Sequence, residues 1–186
     1  MQIRSAGVVR IVLVGLLLSG SLLAGCGGPA TAPAAGASTG AAASPATFTA
    51  ATLGGGTFDS AALAGNPAVL WFWAPWCPTC AGQAKTVRGL AETYRGRVTV
   101  LGVAGLDKPA EMDHFVDIFK LTGMTHLADE QGVVWKRFGI AEQSLYVLLD
   151  ASGQVSYRGR LDDDDLTARV AAMAGAQPTR HDAASS

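Results

Sequence analysis

The stretch NPAVLWFWAPWCPTC, residues 66–80, decides how the chain is read. Ala68-Val69-Leu70-Trp71-Phe72-Trp73 is a short, continuous run of apolar and aromatic residues, the pattern of a buried central strand. Ala74-Pro75 ends it. Two of the chain's three cysteines follow at once, in Trp76-Cys77-Pro78-Thr79-Cys80. Beyond them Val87, Leu90, Ala91 and Tyr94 recur at spacings of three and four, which predicts a helix from Cys77 to about Tyr94, closed by Gly96. A CxxC at a helix start brings both sulfurs to one end of the helix, near enough to close a small disulfide ring. The unpaired N–H groups there and the positive end of the dipole favour thiolate over thiol at the first cysteine. This is the arrangement of a dithiol–disulfide exchanger.

The flanking sequence supplies a domain around that pair. Upstream, residues 48–53 and 57–58 alternate about Gly54-Gly55-Gly56 and predict a hairpin. Downstream, residues 98–103 read as a strand and Pro109 opens a helix with Met112, Phe115, Val116 and Phe119 on its apolar face. A short strand over 125–128, a short helix over 133–138 and a strand over 145–149 follow. A turn at Ala151-Ser152-Gly153 leads to a partner strand over 155–160, and a last helix runs over about 163–174. Strand–helix–strand–helix, then a hairpin and a closing helix, predicts an α/β sandwich on a central mixed sheet, with the first hairpin as an N-terminal extension. The acidic run Asp162-Asp163-Asp164-Asp165 stands before that last helix, where capping and dipole complementarity explain it better than calcium binding.

With the residues set out, NPAVLWFWAPWCPTC, VTVLGVAGLD and LYVLLDASGQVSYRGRLDDDDL together resemble the TlpA/DsbE-type thioredoxin-fold proteins, close to their actinobacterial, DsbF-like extracytoplasmic lipoproteins. The resemblance covers roughly residues 48–175 and implies a thioredoxin-like fold and thiol–disulfide exchange with other proteins. Cys77 matches the exposed nucleophilic cysteine of the family and Cys80 its resolving partner, so that a mixed disulfide formed at Cys77 is released by Cys80. Pro78 and Thr79 lie inside the ring and tune it: proline has no N–H to offer the Cys77 sulfur, whereas the Thr79 and Cys80 amides do. Trp76 resembles the aromatic that flanks the active site, with packing as its other reading.

Three positions depart from the family pattern. Gln83 stands where many relatives carry a glutamate, and Trp71 falls where thioredoxin itself has a buried acid. Neither carboxylate is present to take the Cys80 proton, leaving Glu142 or water to do so. At the substrate-groove loop, Gln143-Ser144 puts serine where the family has a cis-proline. A non-proline cis bond costs roughly 2.5–4 kcal/mol, so a trans bond and an altered loop are expected. The family pairs its substrate chain with backbone beside that proline, as an added strand. Its loss is expected to change docking there and to open space beside the sulfurs, which would raise metal affinity.

The rest of the chain bears on compartment. The formal net charge of −1 and pI near 6.3 give no electrostatic case for nucleic acid. Residues 1–25 carry Arg4 and Arg10, an apolar stretch and then small residues, which predicts a cleaved export signal. The fifteen residues between Arg10 and Cys26 fall short of the roughly 20 a membrane-spanning helix needs. Leu23-Ala24-Gly25-Cys26 resembles the lipobox of bacterial lipoproteins, making Cys26 the lipid anchor. Residues 26–47 then form a flexible tether of small residues and proline, 48–178 the domain, and 179–186 a disordered tail. The expected location is the outer face of a bacterial plasma membrane, where disulfides persist. The expected partners are exported proteins and a membrane redox partner for recycling, with no cofactor and no metal.

Direction is open at this level. WCPTC resembles reductive members that serve cytochrome c maturation, while the wider match favours an oxidant, toward which the reading leans. Three other classes are weighed against exchange. A copper or other metal module on the same thiols would need further ligands, and His114, His126 and His181 are scattered. A thiol peroxidase has its cysteine standing alone at a helix start. A redox-decayed binding protein is suggested by Gln83 and Ser144 and opposed by the intact cysteine pair.

Overall fold

The computed structural model describes residues 47–175. The expected export signal, the lipobox at Cys26, nearly all of the tether and the tail with His181 lie outside the described residues.

Strands β1 (Thr49–Ala51) and β2 (Thr57–Asp59) form the N-terminal hairpin. The central sheet then assembles from β3 (Ala68–Trp73), β4 (Thr99–Ala104), β5 (Thr125–Ala128), β6 (Leu145–Leu149) and β7 (Val155–Gly159) in the spatial order β5-β4-β3-β6-β7. β3 runs parallel to β4 and antiparallel to β6, β4 is parallel to β5, and β7 is antiparallel to β6, which makes the sheet mixed. Among the described residues four α-helices accompany it: α1 (Pro78–Thr93), α2 (Pro109–Ile118), α3 (Val133–Arg137) and α4 (Asp163–Gly175).

The apolar run over β3 is continuous because both faces of this central strand are covered. Val69, Trp71 and Trp73 point to one face and pack with Ala84, Val87 and Leu90 of α1, Met112 and Phe115 of α2, and Leu166 and Val170 of α4. Ala68, Leu70 and Phe72 point to the other and pack with Phe48, Val134, Trp135 and Phe138. Aromatic contacts dominate the first face: the Trp73 ring stacks on Phe115 at 4.5 Å between centroids and on Trp71 at 5.7 Å. Such pairs add to the large apolar area each ring buries.

Gly102 on β4 lies in register between Trp71 and His126. A Cβ there would overlap His126 Nδ1 and come within 2.9 Å of Trp73 Nε1, so the crowded aromatic face leaves room only for glycine. At the sheet's edge the hairpin segment covers β5: the Leu53 amide donates to the His126 carbonyl at 3.0 Å, and Thr52 bridges to Leu127. An open strand edge is thereby partly closed. The acidic run acts as expected at α4, where Asp162 Oδ1 accepts the Asp165 amide at 2.8 Å while Asp163, Asp164 and Asp165 fill the first turn.

Candidate active site

The site forms where the C-terminal end of β3 hands over to α1. Cys77 is the N-cap of that helix, with extended backbone at φ −88° and ψ 111°, and Pro78 occupies the first turn, where its missing N–H costs nothing. The Cys77 sulfur takes the part of the usual capping oxygen: the Cys80 amide donates to it at 3.1 Å. The Thr79 amide, expected from the sequence to share that role, makes no such bond. Both cysteines are free thiols. Cys80 lies fully inside the core on the first turn of α1.

The Cys80 thiol is pushed up to about 12. Burial is the leading cause and its hydrogen bond with the Cys77 sulfur adds to it, while the Ser144 hydroxyl and the Ala74 backbone oppose the shift. At neutral pH Cys80 is therefore a protonated thiol.

Ser144 stands directly against the pair. Its Oγ lies 3.0 Å from Cys77 Sγ and 3.2 Å from Cys80 Sγ, and the residue is 1% exposed. The described residues contain no cis peptide bond, and Ser144 adopts φ +67°, a left-handed conformation unusual outside glycine, asparagine and aspartate. Both of its backbone groups are used internally: its amide donates to the Phe72 carbonyl at 2.8 Å, and its carbonyl accepts from Gln83 Nε2 at 3.4 Å. Gln83 Oε1 in turn accepts from Trp71 Nε1 at 2.9 Å. The three positions that depart from the family pattern thus form one connected chain, Trp71–Gln83–Ser144, ending on the two sulfurs.

This geometry corrects four expectations. Cys77 is not exposed: it is 3% accessible, because the α1 N-terminus and the Ser144 side chain close over its sulfur. The space expected where proline is missing is filled by the Ser144 hydroxyl, so no opening beside the sulfurs favours a metal. Ser144 is buried, with its amide bonded to the Phe72 carbonyl and its carbonyl accepting from Gln83, so of the expected groove residues only half-buried Gln143 is accessible. Glu142 is no proton acceptor for Cys80, because its carboxylate is held at the surface by Arg160 at 2.9 Å.

Trp76 is 55% exposed, partly packed and partly open to solvent. Its Nε1 donates to the Leu106 carbonyl at 3.2 Å, and Leu106, itself half exposed, sits at φ +61°. An aromatic plate and a leucine therefore lie open to solvent beside the nucleophile position. His114 is exposed and distant in role, and His126 is a core residue, its Nε2 bonded to the Leu121 carbonyl at 3.2 Å. Sequence reasoning noticed Trp71, Gln83 and Ser144 as missing groups but not as partners of one another; the signal was that all three depart together. It missed Tyr146 altogether. That hydroxyl is fully buried with no partner among the described residues, and burial raises it, with the charges of Asp163 and Cys80 reinforcing the effect.

Residues 41–160 match the AhpC/TSA family. The soluble secreted antigen MPT53 of Mycobacterium tuberculosis is 38% identical over 130 residues, covering 68% of this chain and 74% of its own. The structure of M. tuberculosis DsbF in its mixed oxidised and reduced forms is 46% identical with a TM-score of 0.66, over 70% of this chain and 97% of that one. A secreted M. tuberculosis disulfide oxidoreductase, described as homologous to Escherichia coli DsbE, is 38% identical with a TM-score of 0.64, over 70% and 99%. The chain belongs to the AhpC/TSA family, among its thioredoxin-fold thiol–disulfide oxidoreductases of the DsbE/DsbF type.

Proposed function

We propose that this protein exchanges disulfides with exported proteins outside the bacterial plasma membrane, with Cys77 as the attacked and attacking sulfur, Cys80 as its resolving partner, and oxidation of substrate thiols as its working direction. The observation that carries the reading is the pair of contacts on Cys77 Sγ, the donating Cys80 amide at 3.1 Å and the Ser144 hydroxyl at 3.0 Å, at the N-terminus of a sixteen-residue helix. Hydrogen bonds to that sulfur stabilise the negative charge it takes on as it leaves a mixed disulfide, and a dithiol whose reduced form is stabilised is an oxidant. Cys80, protonated and buried, does not compete with it.

In this direction a substrate thiolate bonds to Cys77 and the Cys77–Cys80 bond breaks. A second substrate thiolate then displaces Cys77, leaving a substrate disulfide and the reduced dithiol. The open Trp76–Leu106 surface supports a polypeptide substrate, offering apolar area beside the reacting sulfur that a small thiol would not need. Secreted relatives support an extracytoplasmic site, and the Leu23-Ala24-Gly25-Cys26 motif supports tethering by a lipid on Cys26.

Thiol-specific mass tagging of the protein in living cells tests the direction. A pair found mostly oxidised is expected, since an oxidant waits as its disulfide. A pair found mostly reduced would instead place the protein on the reductive side, in cytochrome c maturation or disulfide repair.

A further inference from the structure

Each half of an exchange cycle leaves negative charge on a different sulfur. Opening the Cys77–Cys80 disulfide leaves it on Cys80, in the core, and release of the substrate leaves it on Cys77. The Cys77 sulfur has a fixed donor in the Cys80 amide. Among the described residues no carboxylate or lysine stands beside Cys80: the two positions where an acid is expected hold Trp71 and Gln83, which bond to each other, and Glu142 is at the surface with Arg160. One side chain reaches both sulfurs. Ser144 Oγ stands 3.0 Å from Cys77 Sγ and 3.2 Å from Cys80 Sγ, a spacing from which a hydroxyl proton changes partner by rotating about the Cβ–Oγ bond, with no movement of heavy atoms.

The backbone is arranged to hold it there. The bonds to the Phe72 carbonyl and from Gln83 fix Ser144 on both sides, and φ +67° is a conformation that a residue other than glycine keeps only when its surroundings impose it.

We propose that the Ser144 hydroxyl is a catalytic donor shared by the two sulfurs, bonding to the Cys80 thiolate as the disulfide opens and turning to the Cys77 thiolate as the substrate leaves. The proposal rests on the exchange reading above, and the steps balance as follows. A substrate thiolate bonds to Cys77 Sγ, the Cys77–Cys80 bond breaks, and its electron pair passes to Cys80 Sγ, which receives the Ser144 hydrogen bond. A second substrate thiol gives its proton to Cys80 and attacks the substrate sulfur on Cys77. That bond's electron pair returns to Cys77 Sγ, and the Ser144 O–H turns to it. Two substrate sulfurs are oxidised and two protein sulfurs reduced, while Ser144 keeps its proton throughout.

Ser144→Ala and Ser144→Gly test this as a pair. Both lack the hydroxyl, but they act oppositely on the backbone, since alanine remains strained at φ +67° and glycine relaxes there. A structural role would split the two variants; a donor role moves them together. In stopped-flow opening of the oxidised protein by dithiothreitol, both variants are expected to be slower by about tenfold or more, the loss of one hydrogen bond to a charged sulfur. If either variant opens at the wild-type rate, the shared-donor role is overturned while exchange itself stands. A wild-type protein that dithiothreitol cannot cycle would overturn both.

Discussion

The Gln83 side chain joins two elements through one amide. Its oxygen accepts the Trp71 indole from β3 and its nitrogen donates to the Ser144 carbonyl at the head of β6. Both partners are buried, so neither finds water if the amide is lost. Gln83→Leu, close in volume and apolar, is expected to cost about 1–3 kcal/mol for each buried polar group it orphans. The Ser144 carbonyl contributes least, because its bond is the longer one. Urea unfolding of the reduced protein measures the loss as a lower midpoint at unchanged slope; an unmoved midpoint would mean that Gln83 bears no part of the loop's support. A glutamine serves here where a carboxylate would not, since only the amide both donates and accepts.

At the level of elements, most of the architecture was legible and the reasons are local. β3 announced itself by an apolar run whose two faces are both covered, and α1 by a cysteine N-cap, a proline in the first turn and apolar residues three and four apart. The hairpin, α2 and α4 followed from turn glycines, a helix-opening proline and an acidic first turn, each a signal carried within a few residues. The loop before β6 was legible only as an anomaly. What fills the site of a missing proline depends on Phe72, Gln83 and two sulfurs from other elements, and no pattern along the chain encodes contacts across 61 to 72 residues. The same limit explains Cys77, whose place at a helix N-terminus was evident while the side chain that covers it was not.

At the scale of the whole molecule, the sheet's first face sets a limit on acid stability. His126 of β5 is buried against Trp73 over Gly102, with Nδ1 and Trp73 Nε1 both unpartnered among the described residues. Burial lowers its pKa from 6.5 to about 4, against the opposing bond to the Leu121 carbonyl. The folded protein keeps this ring neutral down to about pH 4, while the unfolded chain protonates it near 6.5. As pH falls through that window the unfolded state binds the extra proton, so stability falls with it. The loss expected is roughly 2 kcal/mol between about pH 7.5 and 5, approaching about 3 near pH 4. Urea midpoints measured across that range are expected to fall in the native protein and to flatten between about pH 5 and 7.5 in His126→Leu; equal slopes in the two would assign the acid sensitivity to other groups.

Covalent capture of substrates tests the exchange reading at that same scale. Cys80→Ser removes the sulfur that resolves a mixed disulfide and leaves Cys77 to form one. Expressed in cells and separated without reductant, this variant is expected to carry exported proteins as reducible adducts through Cys77, and the Cys77→Ser/Cys80→Ser protein to carry none. A Cys80→Ser protein free of such adducts, or one whose adducts persist without Cys77, would contradict the account.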